Sequence, residues 1–246
     1  MFVDVHAHLD SKGFIKPIKA IVEEAAEAGL VAIINCGLNR KSNRATERLA
    51  KQFHIVKPAY GFYPTDAEKT SQKEIDEELK WIKRRKPIAI SEVGLEGKWG
   101  KDFKKQEQVF SKFDMLATGL DIPLIVHTRE KEKQCIDILE KLKAKKVVLH
   151  CFTGPEPLVV RAMKLGYSFS IPPIILYNQR FQSTVKLLAM DRILTETDSP
   201  YLAPKRGTIN SPKNVRLTVA KIAEIKGLNP EETKRIIFLN YQRLFA

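Results

Sequence analysis

Cysteine is scarce in this chain: three in 246 residues, Cys36, Cys135 and Cys151, widely spaced and without a C-x-x-C pair. That excludes a disulfide framework and a zinc ribbon, and it points to a reducing, cytoplasmic setting. No apolar run approaches the roughly 20 residues of a spanning helix. The start, Met1-Phe2-Val3-Asp4, lacks the basic and apolar stretches of a secretion signal, so no membrane association is expected. Glycine numbers only 12, and no G-x-G-x-x-G or G-x-x-x-x-G-K-[ST] follows the first apolar run, so a nucleotide-cradling glycine loop is missing. Internal repeats, low-complexity tracts and linkers are absent too, which leaves one domain over residues 1–246 as the expectation. Acid is in short supply: 29 Asp and Glu against 42 Lys and Arg give a formal charge of +13. A polyanionic partner fits that excess, although a Lys- and Glu-rich thermophile surface would carry charge without one.

What is present is a core and a rhythm. Residues of the AVILMFWYC set make up 43% of the chain, enough to offset the chain entropy of a large domain. Eight short apolar runs recur, at 2–6, 30–36, 55–60, 87–93, 122–127, 146–151, 167–171 and 192–197. Amphipathic stretches with helical spacing lie between them, at 16–28, 43–52, 71–86, 101–118, 133–143, 155–165 and 181–189. Strand–helix alternation on this scale predicts an α/β fold, a (β/α)8 TIM barrel, with a doubly wound open sheet as the alternative. Two further helices, 213–226 and 230–243, are expected outside the barrel, separated at Gly227-Leu228-Asn229-Pro230.

Chemistry concentrates where strands end. In Asp4-Val5-His6-Ala7-His8 the two histidines are two apart, so a strand presents both to one face, as two ligands of one metal would be. Only five histidines exist, and His127 and His150 terminate the runs IPLIVH and KVVLH. Glu92 lies in IAISEVG and Asp198 follows RILTET. Six ligand-type side chains therefore gather on one rim, the C-terminal one, where barrels of this type build active sites. Each has a plainer reading: a hydrogen-bonded core histidine for His127 or His150, a helix N-cap before Ser199-Pro200 for Asp198. Glu92 is harder to explain away, because an unpaired carboxylate in an apolar strand is costly. His54 lies before the third run and is expected to be structural, and Cys151, alternating with His150, is expected to face away from the interior. Six candidates exceed what one ion needs, which suggests two divalent ions bridged by Glu92, or one ion plus a general base. Asp198 is then placed to accept a proton from the attacking water in a metal-assisted hydrolysis.

Substrate contacts are less defined by the residues. Arg129, two beyond His127, and Arg206, in Pro204-Lys205-Arg206-Gly207, are candidate phosphate clamps, and Trp99 between lysines could stack on a nucleobase. An ordinary surface ion pair or a lip over the barrel would explain them equally. The basic runs at 83–86 and 141–146 end helices on the opposite rim and read as solvated faces.

The segments DVHAHLD (4–10), SEVGLE (91–96), IPLIVHTRE (122–130), LHCFTG (149–154), TETDSPYLAP (195–204) and LNYQRLF (239–245) resemble the TatD family of metal-dependent deoxyribonucleases, within the amidohydrolase-like barrels. The resemblance implies a site of two metal ions (Mg, Mn or Zn) held by His6, His8, Glu92, His127, His150 and Asp198. It also implies hydrolysis of DNA, often as a 3′ to 5′ exonuclease, with a place in DNA turnover or repair. Departures fall around the ligands. Tyr63 stands in Gly61-Phe62-Tyr63-Pro64 where the family commonly has histidine, Ser91 and Glu96 replace a glycine and an aspartate, and Ile209-Asn210-Ser211-Pro212 replaces Arg-Asn-Glu-Pro. Two other functions keep the same residues in play: hydrolysis of a small amide, lactone or aminoacyl ester, and non-catalytic nucleic-acid binding on a retained barrel.

Overall fold

A computed structural model of the chain describes residues 1–245. Eight strands form one parallel sheet in sequential order: β1 Phe2–Ala7, β2 Leu30–Cys36, β3 Val56–Tyr60, β4 Ala89–Gly94, β5 Leu124–His127, β6 Val147–His150, β7 Ser168–Ile171 and β8 Ile193–Thr195. This order excludes the doubly wound alternative, in which the strand order must reverse at a switch point. The last strand returns to the first. Ala7 and Ser199 form a parallel bridge, the Asp198 amide donates to the His6 carbonyl at 2.8 Å, and the His8 amide donates to the Ser199 carbonyl at 2.8 Å. The result is a nearly closed α/β barrel.

The strands are buried along almost their whole length, as parallel strands covered by helices must be. Their Val, Ile and Leu side chains form the core shared with the helices α1 Ile18–Glu27, α2 Arg40–Gln52, α4 Gln72–Arg85, α5 Phe103–Leu120, α6 Glu132–Leu142, α7 Glu156–Lys164 and α8 Gln179–Leu187. The remaining helix between strands, α3 Pro64–Lys69, is absent from the sequence expectation. It is too short for a readable period and begins at Pro64, whose fixed φ suits a first helical turn. Three single 3-10 turns, Pro173–Leu176, Met190–Arg192 and Pro212–Asn214, were equally illegible. Helix α2 starts three residues before the predicted position because Asn39 caps it, accepting the Ser42 amide at 3.1 Å.

The two helices outside the barrel are α9 Val215–Lys226 and α10 Pro230–Phe245. Gly227 ends α9 with φ +64°, a left-handed geometry in which a side chain would be strained, and Pro230 opens α10. Among the described residues, no helix is long and apolar enough to cross a membrane.

Candidate metal centre

Strand alternation brings His6 and His8 to one place, with their Nε2 atoms 3.1 Å apart. Two groups hold this end of β1. Asp4 accepts the His6 amide at 3.2 Å and the Thr197 amide at 2.9 Å, which locks β1 to the segment after β8. Asn35 of β2 donates to Thr46 at 2.7 Å while its carbonyl oxygen accepts the Leu9 amide, so the chain leaves β1 along a fixed path. Burial pushes the Asp4 carboxyl well above its ordinary range.

Glu92, 3% exposed, lies between two groups of histidines. Its Oε2 lies 3.5 Å from His6 Nε2 and 3.3 Å from His8 Nε2, and its Oε1 lies 2.9 Å from His127 Nδ1 and 3.7 Å from His150 Nε2. Asp198 Oδ1 joins the first group, at 3.2 Å from His8 Nε2 and 3.8 Å from His6 Nε2. It is no helix cap: β8 ends at Thr195, no helix begins at Ser199, and φ +53° at Asp198 turns its side chain toward β1. The His6 and His150 rings stack at 3.8 Å between centroids, 14° from parallel. All six residues predicted on the rim are thus brought together.

The site's protonation follows from burial and pairing. Burial alone would raise Glu92, but hydrogen bonds from His127, His6 and His8 outweigh it and hold the carboxyl well below the usual range. Burial likewise opposes the charged form of His127, yet Glu92 and Glu96 pull it up to about 9. His8 is also raised, by Asp198 and Glu92 against burial, whereas burial lowers His6, and lowers His150 to about 4. Asp198 is lowered despite burial by the His8 hydrogen bond.

Two buried carboxylates not predicted as ligands stand behind the cluster, Glu96, which the sequence shows only as a replacement for aspartate, and Glu196. Glu96, fully buried, accepts His127 Nε2 at 3.0 Å and the Tyr63 hydroxyl at 2.7 Å. Glu196, also fully buried, pairs with His150 Nδ1 at 2.8 Å and accepts the Ser170 hydroxyl at 2.6 Å. Burial raises Glu196 to about 8, whereas the His127 and Tyr63 hydrogen bonds overcome burial at Glu96 and hold it at about 2. Gly94 is needed here: at φ +136° a Cβ would come 2.0 Å from the His127 carbonyl, which accepts the Leu95 amide.

A cavity of about 430 Å3 opens over the cluster, lined among others by Tyr63, Arg129, Thr153, Cys151 and Tyr201. Cys151 is half-buried against the core, and it also borders the cavity. Strand β6 ends at His150, and φ +45° at Cys151 breaks the alternation and brings that residue to the cavity wall. Arg129 and Tyr63 reach the cavity as anticipated. Trp99 and Arg206 do not line it: the indole is 61% exposed beneath Lys98 Nζ, and the Arg206 guanidinium lies 5.0 Å from the Tyr177 ring centroid. His54 is exposed, at the opposite end of the barrel.

The donor set suits a divalent cation. Convergent imidazole nitrogens and carboxylate oxygens form three overlapping groups, His6–His8–Asp198, Glu92–His127–His150 and His6–His150–Glu196, each compact enough to hold an ion. Mixed N and O ligands of this kind match zinc, manganese and related metals.

Comparison with known proteins agrees with this geometry. The family model for TatD-related DNase matches residues 3–246. An uncharacterised metal-dependent hydrolase of Methanocaldococcus jannaschii is 32% identical over 246 residues, covering 99% of this chain and 96% of its own. Human deoxyribonuclease TATDN3 is 31% identical over 257 residues, with 99% and 94% covered. Among solved structures, the TatD homologue YJJV of Escherichia coli superposes with a TM-score of 0.91 at 26% identity, covering 99% of this chain and 97% of that one. The chain therefore belongs to the TatD-related DNase family of metal-dependent hydrolases.

Proposed function

We propose that this protein hydrolyses the phosphodiester bonds of DNA, removing nucleotides from 3′ ends, with two divalent ions at the rim cluster. The observation that carries the reading is the division of Glu92: one oxygen faces His6 and His8, the other His127 and His150. A carboxylate so placed could serve two cations at once. His6, His8, Asp198 and Glu92 Oε2 would hold the first ion; His127, His150 and Glu92 Oε1 would hold the second. When bound, such ions (Mg2+, Mn2+ or Zn2+) would supply positive charge to the phosphoryl oxygens and acidify water.

The protein's own groups do the rest. Asp198 is the least buried of the six, with its side chain 17% exposed. It is held ionised at neutral pH, so it can accept the proton of the attacking water. Arg129, half exposed on the cavity wall with one guanidinium nitrogen 3.6 Å from Glu96 Oε2, would offer its remaining donors to a phosphate. Tyr63 walls the cavity with its hydroxyl committed to Glu96. Trp99 and Arg206, outside the cavity, would meet only the strand leading away from it. The formal charge of +13 favours a polyanionic substrate, and human TATDN3 bears the name of a deoxyribonuclease.

The test is cleavage of 5′-labelled single-stranded DNA after metal stripping, with Mg2+, Mn2+ or Zn2+ restored and the Glu92→Ala protein alongside. A metal-dependent ladder missing from the variant is the expected result. Intact DNA in every lane, with turnover of an amide or ester panel, would replace the substrate class while keeping the site.

A further inference from the structure

Each ligating imidazole has a second nitrogen, and what lies behind that nitrogen differs between the two halves of the cluster. In the first half, His8 Nδ1 faces the Cys36 carbonyl at 3.0 Å, and His6 Nδ1 is buried with no protein partner. In the second half both rings are backed by carboxylates: His127 Nε2 by Glu96 at 3.0 Å, and His150 Nδ1 by Glu196 at 2.8 Å. The direct ligands show the opposite asymmetry. The first half contains Asp198 and one oxygen of Glu92, whereas the second contains only the other oxygen of Glu92.

From this we infer that Glu96 and Glu196 are positioning residues that set the affinity of the second metal position, each holding from behind one of the two imidazoles on which that position mainly depends. The inference rests on the two-ion reading above. An imidazole that ligates through one nitrogen keeps its proton on the other. A carboxylate accepting that proton fixes the ring's orientation and makes it a stronger donor, typically changing metal affinity about 10–100-fold. Glu96 is held on both oxygens and also lies 3.6 Å from the Arg129 guanidinium, whereas Glu196 is held through Oε2 alone, its Oε1 being buried without a partner. Glu96 Oε1 accepts the Lys98 and Trp99 amides at 2.8 and 3.3 Å while Oε2 takes His127 and Tyr63. Glu196 Oε2 is shared by His150 and Ser170. Both residues are fully buried, so neither touches a substrate in the cavity directly, and each acts through the ring it holds.

The experiment is calorimetric titration of the metal-stripped full-length protein with Mn2+, comparing wild type with Glu96→Gln, Glu196→Gln and Asp198→Asn. Wild type should take up two ions in two steps. The two glutamine variants, isosteric with what they replace, should each weaken one and the same step about 10–100-fold and leave the other unchanged. Asp198→Asn should weaken the other step. Ser170→Ala, which removes only the hydroxyl donor to Glu196, guards against a misfolded Glu196→Gln protein and should weaken the Glu196-dependent step more mildly. As a second readout, DNA cleavage by Glu96→Gln should need about 10–100-fold more Mn2+ for half-maximal rate and regain the wild-type rate at saturation. Two wild-type steps left unchanged, or weakened equally, by the glutamine variants would overturn the inference. A single step in wild type would instead remove the two-ion reading on which it stands.

Discussion

His127 carries the clearest pH signature at the residue scale. Its pKa in the metal-free protein is raised to about 9, with burial opposed by Glu92 and Glu96, so between pH 6.5 and 8.5 the imidazole holds two protons. If a cation binds at Nδ1, as proposed, it would displace one of them, and His8, also raised, contributes in the same direction. Metal affinity should therefore rise by at least about tenfold per pH unit over that window. The heat of Mn2+ binding should also depend on buffer ionisation enthalpy, and a pH-independent affinity would show that these rings are neutral before metal arrives. Arg129 makes a second prediction at this scale: Arg129→Ala should weaken single-stranded DNA binding across all sequences and reduce the salt slope by about 0.7, as loss of one phosphate contact does. Why some of these residues were readable and others not is a matter of strand geometry. His6, His8, His127 and His150 lie on strands or at their ends, where alternation and rim position point to one face. Glu196 shares the parity of Asp198 and could have been found by the same two-residue step that paired His6 with His8. Glu96 stands out in the sequence only as a replacement in the SEVGLE segment, and it is the fold that brings it to His127.

Among the elements, α10 is fastened by a buried polar side chain. Asn240, 4% exposed, donates to the Met190 carbonyl at 2.7 Å and to the Ile193 carbonyl at 2.9 Å, fastening the C-terminal helix to the start of β8. Replacing it by leucine leaves both carbonyls without that donor, so Asn240→Leu should lower the unfolding free energy by about 1–3 kcal/mol in urea titration. Glu24 ties α1 to the turn before α9 by pairing with Lys16 and, at 2.7 Å, with Lys213. These hydrogen bonds depress its pKa from 4.5 to about 2. A carboxylate depressed on folding stabilises above its unfolded pKa and loses that contribution as pH falls toward the folded value. The melting temperature of Glu24→Gln should thus lie below wild type at pH 7, and the gap should close between pH 4.5 and about 2; a gap constant with pH would assign it to packing. Eight strands and nine of the ten helices were legible because their apolar periods are long or their runs compact. Helix α3, six residues from Pro64, was not, since it is shorter than two helical turns. Strand β8 proved shorter than 192–197 because the residues after Thr195 leave the ladder to carry Glu196 and Asp198 into the site.

For the whole molecule, the candidate metal cluster and the closing seam of the barrel coincide. Strand β1 meets the segment after β8 through one bridge, the paired amides of His8 and Asp198, and Thr195 donating to the Val3 carbonyl at 2.7 Å. The first group of ligands straddles this seam, with His6 and His8 on one side and Asp198 on the other, while Glu92 joins it to β4, and β5 and β6 complete the second group. A cation held there binds the folded chain and has no comparable site in the unfolded one, so it stabilises by mass action, about 2.7 kcal/mol at a free concentration 100 times its dissociation constant. For a chain of this length that corresponds to a rise of about 5–10 °C in melting temperature per ion. Stripped protein should melt lower and recover on adding Mn2+ or Zn2+. The gain in hydrogen-exchange protection should be greatest at residues 4–8 and 195–199, because those backbones close the seam. Glu92→Gln, deprived of the charge shared between the two ligand groups, should show little of the rise. Equal melting with and without metal, or protection gained only at β5 and β6, would mean that the ions act on the chemistry without holding the barrel closed.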